Sequence, residues 1–466
     1  MRTELDLAAR VLDLVRRHAG AGAEAEVLVV RRQYALTRFA VSFIHQNVAD
    51  ESTSVRLRLH VDGRTTGSGT TVVDDAGLEG LVTRAREATR LLPPDPGWPG
   101  LAPPAPAGTT GSFDEATAAT TPDDRAQRVR DFVDAAGGLE TAGYCRTSST
   151  RAAFANSLGQ TLEASFTEAG MDGIARAPGS AAAPADGVAR LASHRLADLD
   201  GAVLGGRAAA KARAAVDPVE VPPGRYAVVL EPAAAADLLL AFATEGFNGR
   251  AVNDGVSFVE IGEQQFDPSV SLVDDATAPG ALGLPFDLDG TPKRRLDLVR
   301  SGVTTAVAHD RRTAAVAGAA STGHGVGEAS WGAIPANLVL EPAGGEQPAH
   351  EVDGPEADSD VAALVAGVER GLLVSDIWYT RVLDPRRLVL TGLTRNGVWL
   401  VEDGELTRPV STLRFTQSYS GALAPGRVAG IGAHAQHLPA EDWFAVDLSA
   451  PALSLAEWNI TGGAAG

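Results

Sequence analysis

Leu5, Ala8, Leu12 and Val15 recur at three- and four-residue spacing, the signature of a helix with one apolar face. The run at 24–30 then reads as a strand, and 55–61 reads as a clearer one. There Val55, Leu57, Leu59 and Val61 alternate with Arg56, Arg58 and His60. Strict alternation buries one face of a strand and wets the other, as in antiparallel sheets. Asp62-Gly63 follows as a hairpin turn. A second helix runs from Asp75, read as its cap, to Leu92, where Pro93-Pro94 ends it. Prolines crowd 93–106, which predicts an extended connector lying in solvent. Thr121 caps a third helix, with Pro122 at its first position and Asp123-Asp124 at the positive end of its dipole.

Short strands are predicted from there to about 176, with a turn at 156–159. A small-residue loop over 178–187 and a helix over 195–215 follow. Asp217-Pro218 and Pro222-Pro223 mark a domain boundary. Beyond it, residues 227–230 read as a buried strand and Glu231-Pro232 as the start of an apolar helix to 246. The rest breaks into β-like runs split by Gly, Pro and Asp-Gly, with 343–360 as a polar loop. Arg395-Asn396-Gly397, between two apolar runs, carries a hairpin signal. The expectation is an α+β fold. An amino-terminal half (1–220) would hold an antiparallel sheet with helices, and a carboxy-terminal half (221–466) would be β-rich.

Composition narrows the function classes. Net charge is −19, from 40 basic and 59 acidic residues, and only Lys211 and Lys293 are lysines. A duplex-binding surface needs clustered cations to displace counterions, so nucleic acid is not an expected partner. Cys145 is the only cysteine, which excludes an intramolecular disulfide and a thiolate zinc cluster and fits a reducing compartment. The first ten residues carry charges at Arg2, Glu4, Asp6 and Arg10 rather than an apolar signal core. No run approaches the roughly 18 apolar residues that span a bilayer. A cytoplasmic protein with no membrane partner is expected.

Familiar chemical motifs are absent. Neither lysine follows a glycine, so there is no Walker loop, and no Gly-x-Ser-x-Gly elbow occurs. Residues 430–435 mimic a dinucleotide loop, but too little chain follows for the rest of that fold, and a tight turn is the plainer reading. Of the nine histidines only His434 and His437 are close together, in what reads as a solvated loop.

Along the chain, in order, stand Thr37-Arg38-Phe39-Ala40, Glu231-Pro232, Gly246-Phe247-Asn248-Gly249, Gly262-Glu263-Gln264-Gln265-Phe266-Asp267, His309-Asp310-Arg311-Arg312, Ser321-Thr322-Gly323-His324, Pro335-Ala336-Asn337, Thr394-Arg395-Asn396-Gly397 and the Asn459 tail. In this order they resemble the TldD/PmbA family, and within it the non-catalytic branch called TldE or PmbA. Catalytic members carry His-Glu-x-x-x-His on the helix after Glu-Pro and a late cysteine. Here the corresponding positions are Leu240, Ala241 and Glu245. No histidine lies between 195 and 308, and no cysteine follows Cys145. Zinc needs protein ligands that this segment does not supply.

The resemblance therefore implies a chain with no catalytic residue, metal site or cofactor of its own. It would pair with a TldD-like, zinc-bearing subunit as a heterodimeric metallopeptidase for proteolysis or leader-peptide removal, including natural-product maturation. Its share would be half of a peptide channel, with extended substrate pairing against sheet edges. Phe247, Asn248, Ser321, Thr322, His324 and Asn337 are the candidate channel residues. Each also has a plain structural reading: packing for Phe247 and Asn248, a strand-end cap for Asn337, a satisfied core histidine for His324. Two other functions stay open, an independent hydrolase on the same scaffold and a peptide-binding regulator that does not cleave.

Overall fold

The structure is a computed structural model that describes residues 3–20, 22–108, 112–178, 185–344, 355–439 and 446–463. In the first half, α1 (Glu4–Ala19) precedes the strands β1 (Glu24–Ala40), β2 (Phe43–Val61) and β3 (Arg64–Thr70). Then come α2 (Asp75–Leu91), α3 (Glu115–Ala118), α4 (Pro122–Ala135), β4 (Glu140–Asn156), β5 (Thr161–Ala177), β6 (Ala185–Ser193) and α5 (Gly201–Ala214). The six strands form an antiparallel sheet in the order β3-β2-β1-β4-β5-β6.

Register gives this sheet two different faces. Even positions oppose even positions in successive pairs: Glu26 with Arg58, Glu26 with Asn156, Ser148 with Glu168, and Asp172 with Arg190. Side chains alternate across a strand, so the odd positions of five neighbouring strands share one face. Val27, Val29, Val55, Leu57 and Leu59 pack there against α1 and α2. Cys145, Met171, Ala189 and Leu191 pack against α4 and α5, and burial pushes the Cys145 thiol up to about 12. The even face turns toward the second half of the chain.

That half begins with β7 (Gly224–Leu230), α6 (Pro232–Ala241), one π turn (Phe242–Gly246) and α7 (Gly249–Asn253). The elements β8 (Leu272–Asp274), β9 (Leu296–Arg300), β10 (Val303–Thr304), α8 (Arg311–Ala317) and β11 (Asn337–Leu340) follow. The chain ends with α9 (Pro355–Ala366), β12 (Arg370–Asp384), β13 (Val389–Glu402), β14 (Glu405–Pro409), β15 (Leu413–Ser418), α10 (Tyr419–Ala422), β16 (Val428–Leu438) and β17 (Asp447–Gly463). Its eleven strands form one mixed sheet. The pairings β17–β15–β13–β12–β7 return to β17, a ring whose strands bury Trp458, Phe415 and Leu390 beside Tyr419 of α10. The α+β class and the contrast between an antiparallel first sheet and a larger second one are as expected.

Several elements differ from the sequence expectation. Instead of short strands before 176, β4 and β5 run 17 residues each. The turn they share is retained, Asn156 accepting from the Leu158 and Gln160 amides. Asp74 rather than Asp75 caps α2, its carboxylate accepting from the Gly77 amide. The loop expected over 178–187 has its centre outside the described residues, and Ala185 already begins β6. Likewise 345–354 lies outside the described residues, while α9 occupies the end of the predicted polar loop. The Pro-rich connector does not lie wholly in solvent, since Leu101 and Ala102 are buried. Proline lacks an N–H but keeps its carbonyl, and Arg311 donates to the carbonyls of Pro99 and Leu101.

Asn396-Gly397 is not a hairpin. Both have positive φ, 55° and 130°, inside the continuous strand β13. They form an irregularity opposite Val374–Asp376, and the true turn comes at Asp403-Gly404. Residues 430–435 lie within β16, as do His434 and His437, so neither the tight turn nor the solvated loop is seen.

Candidate functional site

The even face of the first sheet and the second half of the chain enclose two cavities that share Arg146. The first, about 540 Å³, has Arg32, Arg146, Ser148, Thr150, Phe166 and Glu168 of β1, β4 and β5 as one wall. Its other wall comes from the segments 282–293 and 324–337. The second, about 660 Å³, continues along these strands and onto β6 with Tyr34, Leu36, Arg38, Tyr144, Asp172 and Arg190. Opposite them stand Ala233, Ala236, Asp237 and Leu240 of α6, with Asp376 and Ile377 of β12.

The floor of the first cavity is a chain of buried polar contacts. His324, 1% exposed, places Nε2 2.9 Å from Asp274 Oδ1 and Nδ1 2.8 Å from Thr322 Oγ1. The other oxygen of Asp274 accepts from the Asn337 amide at 2.6 Å. Burial alone would raise the Asp274 carboxyl, but His324, Lys293 and that amide together hold it below its ordinary value. Asn337 donates its side-chain amide to the Leu282 carbonyl and accepts from Lys293 Nζ at 3.2 Å. Asp447 accepts from the Leu282 amide at 3.1 Å and meets His437 Nδ1 at 2.8 Å. Burial would lower the His437 value, but the Asp447 charge outweighs it and raises it.

At one end of this cavity a charged cluster joins the two halves. Arg58 on β2 pairs with Glu26 at 2.8 Å and with Asp289 from the opposite wall. Asp287 accepts from the backbone N–H groups of Asp289, Thr291 and Gly325 at 2.8–3.0 Å. A Cβ on Gly325 would lie 2.6 Å from an Asp289 oxygen, so a larger residue there would displace that carboxylate. Burial pushes Glu26 up to about 8, with Arg58 opposing and the Asp289 and Asp287 charges adding. Burial, then Asp289, likewise carries Asp287 up to about 7 against those amides.

The second cavity has a different electrostatic character. Arg190 forms a two-pronged pair with Asp376 at 3.0 and 3.2 Å and reaches Asp172 at 3.3 Å. Arg395 lies 3.7 Å from Asp376. On α6, Asp237 accepts from Tyr419 Oη at 2.6 Å and from Thr380 at 3.2 Å.

The six candidate channel residues separate. His324 and Asn337 line the first cavity. Phe247 is fully buried in a cluster with Phe242, Phe258 and Phe266. Asn248 caps α7 and donates to the carbonyls of Thr244 and Trp331. Ser321 donates to the His309 carbonyl, and Thr322 joins that carbonyl to His324. Sequence reasoning missed Asp274, Asp287, Lys293, Arg146, Arg190 and Asp376. A usable signal existed for the strand residues: Tyr144, Arg146, Ser148 and Thr150 alternate on β4 in phase with Arg32, Tyr34, Leu36 and Arg38 on β1.

The family description "PmbA/TldA metallopeptidase C-terminal domain" matches residues 223–462. The chain belongs to the PmbA/TldD family. Solved structures from that family share its fold over nearly the whole chain. TldE from Thermococcus kodakarensis has a TM-score of 0.84 at 18% identity, covering 97% of this chain and 100% of its own. A protein described as a proposed DNA gyrase modulator from Thermotoga maritima gives 0.82 at 18%, covering 98% and 100%. One described likewise from Bacteroides thetaiotaomicron gives 0.81 at 21%, covering 99% and 100%. No curated protein matches the sequence significantly. The family match supports a metallopeptidase-like scaffold, and the sequence resemblance implies that the zinc motif of catalytic members falls on the helix equivalent to α6. The donor set here does not fit that ion. Of the α6 residues on the cavity, three are aliphatic, and the carboxylate of Asp237 is engaged by Tyr419 and Thr380.

Proposed function

We propose that the chain is the metal-free subunit of a TldD/TldE-like heterodimeric metallopeptidase, shaping the passage through which a peptide reaches a partner's zinc. The observation that carries this reading is the wall formed by α6. In a family defined by metallopeptidases, that helix offers Ala233, Ala236, Asp237 and Leu240 to a 660 Å³ cavity. The likeness to TldE supports the same branch. A cleft with a polar sheet on one side and an apolar wall on the other suits an extended peptide, whose amides and side chains need different partners. In this reading the chain moves no proton and holds no metal. It excludes water and positions substrate, in bulk proteolysis or in removing leader segments from natural-product precursors.

The test is reconstitution. The purified chain with added zinc should leave a denatured peptide intact, a TldD-type subunit alone should be weak, and the mixture should cleave. Cleavage by the isolated chain would favour the independent hydrolase instead. Full-strength capture of peptide without cleavage in any mixture would favour the regulator.

A further inference from the structure

The first cavity carries an imbalance of charge that its packing does not explain. Each carboxylate on its wall has a partner of its own. Glu168 pairs with Arg146 at 2.6 Å, Glu328 with Arg56 at 3.0 Å, and Asp447 with His437 at 2.8 Å, while Asp287 is held by three backbone N–H groups. The cations are not matched in the same way. Lys293 is 7% exposed, and its ammonium donates to Asn337 Oδ1, a neutral acceptor. Among the described residues no carboxylate lies within ion-pair distance of it. Arg32, on the opposite wall, lies over the Tyr34 ring at 4.9 Å rather than beside an acid. The nearby charge of Asp274 acts on Lys293 from beyond ion-pair distance, and its two oxygens are already taken by His324 and the Asn337 amide. An ammonium has three N–H donors, and a buried one with no anion in direct contact is costly to maintain. Beside it the wall is apolar, made of Leu282, Leu284, Phe286, Val326, Trp331 and Ile334.

We propose that this cavity binds a carboxylate on an otherwise apolar ligand, with Lys293 as its anchor and the Leu282–Ile334 wall taking the apolar part. Resting on the peptide-channel reading, the ligand is a peptide that presents either its free C-terminus or an acidic side chain. Lys293 is the specificity-determining contact, and Asn337, which orients the ammonium, is a positioning residue. Lys211, the other lysine, is tied to Glu231 and the Val188 carbonyl.

Three probes separate the possibilities on the full-length chain: N-acetyl-Phe-Leu, its C-terminal amide, and N-acetyl-Leu-Asp amide. Binding is followed by calorimetry and by tryptophan fluorescence. The free acid should bind about tenfold more tightly than its amide, as expected for one charge-assisted contact. Lys293→Met should reduce the acid to the level of the amide and leave the amide unchanged. Lys293→Arg should restore part of the difference. Binding of the aspartyl amide at the level of the free acid would show that the anchor takes a carboxylate from either source, and binding at the amide's level would assign it to C-termini. Equal binding of acid and amide would overturn the anchor and leave the channel reading standing. Binding of neither, alone or with a TldD-type subunit, would overturn both. Should Lys293→Met lose its circular-dichroism signature, the ratio of acid to amide on the unmutated chain decides alone.

Discussion

The two cavities are built on one sheet face, from alternate residues of the same strands, yet they treat charge in opposite ways. In the second, Arg190, Arg395, Asp172 and Asp376 satisfy one another across the two halves of the chain. In the first, the acids are satisfied while Lys293 and Arg32 have no carboxylate partner among the described residues. The exposed Arg38 of the second cavity also has no ion pair among the described residues, so the contrast lies in the buried charges. The first cavity has a buried cation to spare for a ligand, and the second uses its buried charges to hold the fold. Burial alone does not separate a binding site from a structural network, because Lys293 and Asp376 are both largely buried. What separates them is whether the partner already lies within the protein.

Substitutions can break this contrast. The largest effect is expected behind the second cavity, where Phe247→Ala should cost about 3–5 kcal/mol by opening a void among Phe242, Phe258 and Phe266. Urea unfolding measures it, and a loss below 1 kcal/mol would show that Phe247 is not core. Next, Asp376→Ala should cost about 3 kcal/mol, because Arg190 would lose both prongs of its pair.

The pH dependence tests the cluster at the end of the first cavity. Glu26 and Asp287 have folded values of about 8 and about 7, above their ordinary values of 4.5 and 3.8. The folded chain therefore holds protons that the unfolded chain has released. That contribution is complete below about pH 4 and is lost as pH rises toward 8. Stability should fall across that window. Glu26→Gln should flatten the slope, and a slope unchanged by it would remove Glu26 from the cluster. Smallest of all, Lys293→Met should alter stability by less than about 1 kcal/mol, since it removes a buried charge and one hydrogen bond but breaks no ion pair. A loss as large as that of Asp376→Ala would erase the distinction between the cavities.

Much of the architecture is legible along the chain. The alternation at 55–61, the Thr121-Pro122 helix start and the Glu231-Pro232 helix start each act over a few residues, and each appears where expected. Local signals misled where tertiary pairing overruled them. Asn396-Gly397 has the backbone of a turn, but β12 and β15 hold β13 straight through it, and Asn396 donates to Asp376. His434 and His437, read as loop residues, lie on β16 because β17 pairs with it.

By itself the sequence determined the family, the α+β class and the lack of a His-Glu-x-x-x-His motif on α6, since these follow from residue identity and short-range spacing. Only the tertiary structure decided which charges meet. Register places even positions of five strands on one face, and it then brings Arg190 to Asp376 across 186 residues and Lys293 to Asn337 across 44. Ion pairing depends on distance in space and on exclusion of water, and neither is written in the spacing of residues along the chain.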